Sequence, residues 1–285
     1  MIAAAIQSVR DQDFEGPIEH LVIDGGSTDG TLEVLARYAN VTVVSEPDKN
    51  LYDALNKGIT RSTGAVIGLL NSDDKLQSHS IRKAVETLEA TPLASMVCGG
   101  ANVIDMKGDV ITRFSGPENR SLDPWDLLFG IPIINARFFR RALFDRIGLF
   151  DARYKLVADR EFLLRAALAG ELTASLPEVV YEYRSHAGSL TIGGVRTRRR
   201  LAEDYALLTE SWLRRSALPV NLRKNLKRLH AKSLLVIAAT SILDRDPSAF
   251  ANCLERGREV NAWWPVDAVY AVGQWFTKRL RPSRS

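Results

Sequence analysis

Short apolar runs that each end in a cluster of Asp, Asn, Ser and Gly are the feature that most restricts this chain. Leu21-Val22-Ile23 runs into Asp24-Gly25-Gly26-Ser27-Thr28-Asp29-Gly30-Thr31, and Val66 to Leu70 stops at Asn71-Ser72-Asp73-Asp74. Each run has the length of a buried strand, and the small polar residues after it mark a tight turn. Helical spacing fills the intervals, with Ile2, Ile6 and Val9 in 2–10 and Leu32, Leu35 and Tyr38 in 31–38. Further helices are predicted over 51–60 and 79–90, and strands over 41–44 and 95–104. Such alternation with short loops predicts a mostly parallel sheet covered on both faces. Ligands of these sheets sit outside the carboxyl ends of the strands, where both polar clusters lie.

The pattern loosens between 105 and 150. Gly116-Pro117 and Asp123-Pro124 mark loops, and Trp125, Phe129, Phe138 and Phe139 are expected to supply aromatic surface. A helix is predicted over 158–169, a strand over 179–183, and helix from about 198 onward. With 285 residues, 46% apolar and 25% charged, the chain suits one large domain or a domain with an appendage. Two distant cysteines, Cys98 and Cys253, exclude a disulfide framework, have no metal-site spacing and make reducing cytosol the default compartment. The apolar start lacks a basic leader, and no apolar stretch approaches the ~18 residues of a spanning helix. Charge is divided unevenly. Residues 196–285 hold 18 Lys+Arg against 8 Asp+Glu, and residues 1–195 the other 20 against 26. That split predicts a basic appendage facing an anionic surface or ligand.

Four places could carry chemistry, and each has a plainer reading. Asp24 at a strand end could accept hydrogen bonds from a nucleobase or ribose, with glycines admitting a close ligand, or the segment is an ordinary capped turn. Asp73 and Asp74 repel each other unless a cation sits there. A hard divalent ion bridging carboxylate and phosphate would resolve that, as would a solvated capping loop. Asp159 is placed to act as a general base, or merely to complement a helix dipole. His186, in a polar loop after a strand, is a metal or phosphate ligand or a surface histidine.

Taken in order, IDGGSTDGT, SEPDKNLYDALNKGI, TGAVIGLLNSDD, FFRRALFDRIGLFDARYKLVADREFLLR and YRSHAGSLT closely resemble the family-2 glycosyltransferases of the GT-A fold. The subgroup most similar builds bacterial cell-surface polysaccharides, and the resemblance covers about residues 2–195. It implies an α/β fold, the GT-A nucleotide-diphospho-sugar transferase fold with a Rossmann-like mixed sheet flanked by helices. Residues 1–195 would form that domain and residues 196–285 a basic helical C-terminal extension. Residue by residue, it implies that Asp24 binds the base. Asp53, Asn56 and Lys57 would lie on a donor-contacting helix. Asn71, Ser72 and Asp73 would fill the D-x-D motif, followed by Asp74, so that Asp73 is the principal metal ligand. Asp159 would be the catalytic base, and His186 a ligand near metal and diphosphate. The cofactor implied is Mn2+ or Mg2+, and the donor a UDP- or GDP-sugar. Asn71 departs from the motif by removing one charge. The resemblance also implies a strand and short polar loop ahead of the helix at 2–10, whose lack would leave a gap in the sheet and one side of the base pocket open.

These roles imply an inverting transfer to a hydroxyl of a glycan or lipid-linked acceptor in cell-surface polysaccharide biosynthesis. No Ser or Cys nucleophile constellation and no dinucleotide fingerprint are present. A non-catalytic sugar-nucleotide-binding or scaffold relative is the alternative. It would fit Asn71 and the short start, while Asp73, Asp74 and Asp159 oppose it. The extension carries ten Lys+Arg in 196–230, and its end mixes Trp263, Trp264, Trp275 and Phe276 with Lys278, Arg279 and Arg281. Aromatics mixed with cations suit an interfacial membrane segment. A membrane surface is therefore an expected partner, at the inner face of the cell membrane, and nucleic acid is not.

Overall fold

The computed structural model describes residues 1–186, 188, 195–260 and 263–266. The aromatic and basic end from residue 267 lies outside the described residues. The chain separates into two compact units. One comprises Met1–Asp123 and Ile131–His186, and the other Pro124–Gly130 and the described part of Ala187–Ser285.

The first unit opens with α1 (Ile2–Arg10), β1 (Leu21–Asp24), α2 (Thr31–Leu35), β2 (Thr42–Ser45) and α3 (Leu51–Arg61). It continues with β3 (Val66–Gly68), β4 (Lys75–Leu76), α4 (Ser80–Ala90), β5 (Ala94–Ile104), β6 (Val110–Phe114) and α5 (Gly116–Asn119). The short α6 (Pro124–Phe129) belongs to the other unit. The chain then returns through β7 (Arg137–Arg140), α7 (Arg141–Ile147), α8 (Ala158–Leu168) and β8 (Leu172–Arg184).

Strands β1 and β2 form a parallel pair in register Leu21↔Thr42 to Asp24↔Ser45. The other six make a sheet in the order β3-β7-β5-β8-β4, with β6 on β5. Only β5 and β8 run parallel there, and the remaining pairs are antiparallel. The mostly parallel sheet expected from the strand–helix alternation is therefore corrected to a mixed one, the kind the family resemblance implies. The cause is β7: its Phe138 and Phe139, expected at the surface, are 3% and 0% exposed and pair with β3 and β5. An Arg-Phe-Phe-Arg run shows no alternation that would betray a central strand. Among the described residues no ladder joins the two sheets.

The core lies along β5, where Met96, Val97, Cys98 and Ala101 are fully buried. Phe139, Phe144, Phe150 and Phe162 pack beside it, with Phe150 and Phe162 centroids 4.7 Å apart and Phe144 and Phe162 stacked at 5.2 Å. Truncating one such buried ring to alanine typically costs about 3–5 kcal/mol. This cluster seats α8 and with it Asp159.

Helix α3 starts where the sequence dictates. Asn50 is extended, and its Oδ1 accepts from the amides of Tyr52 and Asp53, as an N-cap should. The helix then ties two loops together. On one side Lys57 donates to the Pro47 carbonyl (2.6 Å) and Lys49 N donates to Asp53 Oδ2 (3.0 Å). On the other, Asn50 Nδ2 donates to the Ala152 carbonyl at 2.8 Å. Asn56 Nδ2 donates to the Phe150 carbonyl (2.8 Å), and Phe150 N donates back to Asn56 Oδ1 (3.0 Å). One amide side chain thus satisfies both backbone groups of a buried residue, as a neighbouring strand would.

In the second unit, α9 (Val195–Leu213), α10 (Val220–Leu243) and α11 (Pro247–Val260) follow in sequence. Ala202, Ala206, Ala231, Leu234, Ile237, Ala238, Cys253 and Trp264 form its core. Small residues let the helices close up, and at Gly257 a Cβ would stand 2.4 Å from the Trp264 indole nitrogen. His230 is fully buried, with Nδ1 2.9 Å from Thr209 Oγ1 and Nε2 unpartnered. Trp125 and Phe129 of α6 stack at 4.2 Å, with Lys232 over the Phe129 ring.

Two stability predictions follow from these contacts. Replacing Asn56 by alanine strands the Phe150 amide and carbonyl, so it should lower unfolding stability by about 1–3 kcal/mol, read from the denaturant midpoint at unchanged slope. Burial holds the His230 imidazole below its ordinary value. The stabilisation from keeping that ring neutral is complete above the unfolded value of about 6.5 and is lost as pH falls below it. The melting temperature should therefore drop more steeply between pH 7.5 and 5 in the native protein than in His230→Gln. His20, also depressed by burial, contributes equally to both and cancels.

Candidate active site

Asp24 closes β1 and is 6% exposed. Its Oδ2 accepts from Gly26 N (3.0 Å), Ser27 N (3.0 Å) and Ser45 Oγ (2.7 Å). Burial alone would raise this carboxyl, but hydrogen bonds from Ser27, Ser45 and the two amides outweigh it and hold the group below its ordinary value. The two amides and the Ser45 hydroxyl all meet at Oδ2, which fixes the turn. Gly25 matters for space: a Cβ there would lie 2.6 Å from Asp48 Oδ2. Only glycine lets the Asp48 carboxylate approach this turn, and Asp48 was not singled out in the sequence.

Asp53, Asn56 and Lys57 were expected to contact the donor. In the structure their polar groups are engaged by protein. Asn56 clamps Phe150, Asp53 receives the Lys49 amide, and Lys57 reaches Pro47, Glu46 (3.3 Å) and Asp53 (3.8 Å). Asp53 and Lys57 thereby brace the loop at 46–50, and Asn56 braces residue 150.

The loop after β3 is fastened by Asp74, which is 1% exposed. Its Oδ1 accepts from Arg184 N (2.7 Å), and its Oδ2 from the Tyr181 hydroxyl (2.6 Å) and Asn71 Nδ2 (3.0 Å). Burial pushes this carboxyl up to about 6, against the pull of Tyr181, Arg184 and Asn71, and the charge of Asp73 adds to the rise. Asp74 is thus consumed internally, as an anchor between the loop and the end of β8. The anchor brings together residues 113 apart in sequence: His186 Nε2 lies 2.8 Å from Asp73 Oδ2. Ser72 sits exposed on the same loop. Neither Tyr181 nor the Arg184 amide carried a signal in the sequence, because a tyrosine in a strand reads as packing.

A divalent cation fits this corner chemically. Asp73 offers a carboxylate and His186 an imidazole. A carboxylate only accepts, so Asn71 must turn its nitrogen toward Asp74. That leaves Asn71 Oδ1 as a buried oxygen with no partner. Oxygens with one imidazole suit Mn2+ or Mg2+. Among the described residues no group of three His, Cys, Asp or Glu could hold a metal ion, so the remaining ligands would be diphosphate oxygens and water.

Asp159 occupies the first turn of α8, and its Oδ1 accepts from Arg160 N at 2.8 Å. Burial raises its carboxyl above the ordinary value, opposed by the Arg160 charge and amide and by the Tyr52 hydroxyl. Tyr52 is itself 5% exposed on α3. A carboxylate with raised basicity is the form a general base takes. Helix α3 therefore links the loop at 46–50 to the segment that delivers Asp159.

The model of the family described as Glycosyl transferase family 2 matches residues 1–148. An uncharacterized glycosyltransferase of Mycobacterium tuberculosis is 36% identical over 171 residues, 58% of this chain and 63% of the relative's length. A PGL/p-HBAD biosynthesis glycosyltransferase of the same species is 30% identical over 201 residues, 67% of this chain and 74% of the relative. Among solved structures, S. aureus TarS with UDP superposes with a TM-score of 0.65 at 15% identity, covering 99% of this chain and 89% of that one. The mannosyltransferase PcManGT of Pyrobaculum calidifontis, in complex with GDP-Man and Mn2+, gives 0.60 at 20% identity, covering 97% and 76%. These structures share the fold, and the sequence match over more than half of the chain carries the membership: this chain belongs to glycosyl transferase family 2.

Proposed function

We propose that the chain transfers a sugar from a nucleotide-diphosphate donor to a hydroxyl of a glycan or lipid-linked acceptor, with inversion, in cell-surface polysaccharide biosynthesis. The observation that carries this is the Asp73–His186 pair at 2.8 Å, set by the buried Asp74 anchor. An acid and an imidazole held side by side suit a divalent cation beside a diphosphate.

The geometry supports the following proposed roles. Asp24 accepts a hydrogen bond from the base or ribose, while its Oδ2 fixes the turn. Asn71 offers its unpartnered oxygen to the same ligand. Asp73 and His186 would hold the divalent ion, which when bound supplies positive charge against the departing diphosphate. Asp159 accepts the proton of the acceptor hydroxyl as that oxygen attacks the anomeric carbon. The bond to the diphosphate oxygen breaks on the opposite face, and its electron pair leaves with the nucleoside diphosphate. One base and one in-line displacement give inversion without a covalent intermediate. The solved relatives hold UDP or GDP-Man, and the donor here is proposed to be of that class.

No helix among the described residues is long and apolar enough to cross a membrane. We place the protein at the inner face of the cell membrane, held there by the basic helical unit.

Calorimetric titration with UDP and GDP, each with and without Mn2+, tests the donor site. Binding of one nucleotide should be strengthened at least about tenfold by the metal, and Asp73→Ala should abolish that increment. Undiminished metal-dependent binding in that variant would remove the metal assignment. Asp159→Asn should lose about 10²–10⁴ in kcat with donor affinity retained; loss of donor binding instead would refute the base role.

A further inference from the structure

The helical unit has two unlike ends. Where α9 begins and α10 finishes, acids stand among the cations: Arg199 bonds Glu203 and Asp244 and lies 3.7 Å from Asp246. Where α9 hands over to α10, the sequence has no acid at all. Residues 211–243 contain seven Lys+Arg and no Asp or Glu. Arg214 and Lys224 are exposed there and Lys227 half-buried, and among the described residues none of their side chains has an ion-pair or hydrogen-bond partner. At the apex, Ala217 and Pro219 are exposed and Val220 is 82% exposed.

The turn is built rigidly. Arg223 donates to the Leu213 carbonyl (3.1 Å) and the Arg215 carbonyl (2.7 Å), closing the end of α9. The Arg215 guanidinium lies 4.0 Å from the ring centroid of the buried Trp212. Pro219 precedes the first residue of α10 and fixes its backbone. Those contacts hold Val220 outward. A single exposed valine needs no explanation. An apolar apex on a pinned turn, ringed by unpaired cations, is the arrangement that enters the headgroup boundary of a membrane.

We propose that the α9–α10 turn is the membrane-docking element of this protein, inserting Val220 while Arg214, Lys224 and Lys227 bind anionic headgroups. A soluble polyanion would be met by the cations alone and gives no reason for the apolar apex, so the occupant is an anionic lipid surface. This deepens the membrane-surface part of the function proposed above and is independent of the catalytic residues.

The test is co-sedimentation of the full chain with phosphatidylcholine vesicles, with and without phosphatidylglycerol. The protein should bind only the anionic vesicles, and less so as salt rises. The double variant Lys224→Glu with Lys227→Glu should lower the partition coefficient by about tenfold or more. Val220→Asp should weaken binding at high salt as well as low, because it removes the apolar contact. Equal binding to both vesicle types, or to neither, would overturn the proposal. So would wild-type binding by these variants, which would move the contact to another segment. Binding to inorganic polyphosphate as tight as to vesicles, and unaffected by Val220→Asp, would replace the membrane by a soluble polyanion. If one variant fails to fold, Arg214→Glu on the other side of the turn reads the same loss. Donor titration on the same preparations reports on the transferase reading, so the two can fail separately.

Discussion

The candidate site depends on one buried charge. Asp74 brings a carboxylate into the interior of the first unit, where an unpaired ion would be prohibitively costly. It is tolerated because three donors from two distant segments converge on it. Removing any of them leaves the carboxylate underpaired, and removing Asp74 strands Tyr181 and the Arg184 amide. The loop after β3 and the end of β8 therefore keep one relative register. Asp73 and His186, one residue and two residues beyond the fastened points, inherit that register. The anchor is built from protein groups alone, so the fold itself holds the acid and the imidazole together.

Helix α3 performs the complementary task. Its cap and its Asn56 side chain hold residues 150–152, while Asp53 and Lys57 hold residues 47–49. The helix thus fixes the loops on both sides of it. Tyr52 extends this to Asp159, because its hydroxyl lies beneath the carboxylate whose protonation it opposes.

Much of this was legible in the sequence, for identifiable reasons. Strand ends rich in Asp and Gly announce themselves because few other residues tolerate those turns. The Asn50 cap and the α8 start follow local rules that need no tertiary information. Strand direction was not legible, because β7 reads as an aromatic cluster and β4 has only two residues. The duty of Asn56 was hidden because its partner lies 94 residues away. The loop reading of 105–150 likewise gave no sign that Pro124–Gly130 would join the helical unit.

Among the described residues the β1–β2 pair shares no backbone ladder with the six-stranded sheet. The smaller sheet is held to the rest by α3 and by side-chain bonds such as Glu19 to the amides of Thr63 and Gly64. Substitutions in α3 or at Glu19 are therefore felt at the Asp24 turn, although none of them lies in it.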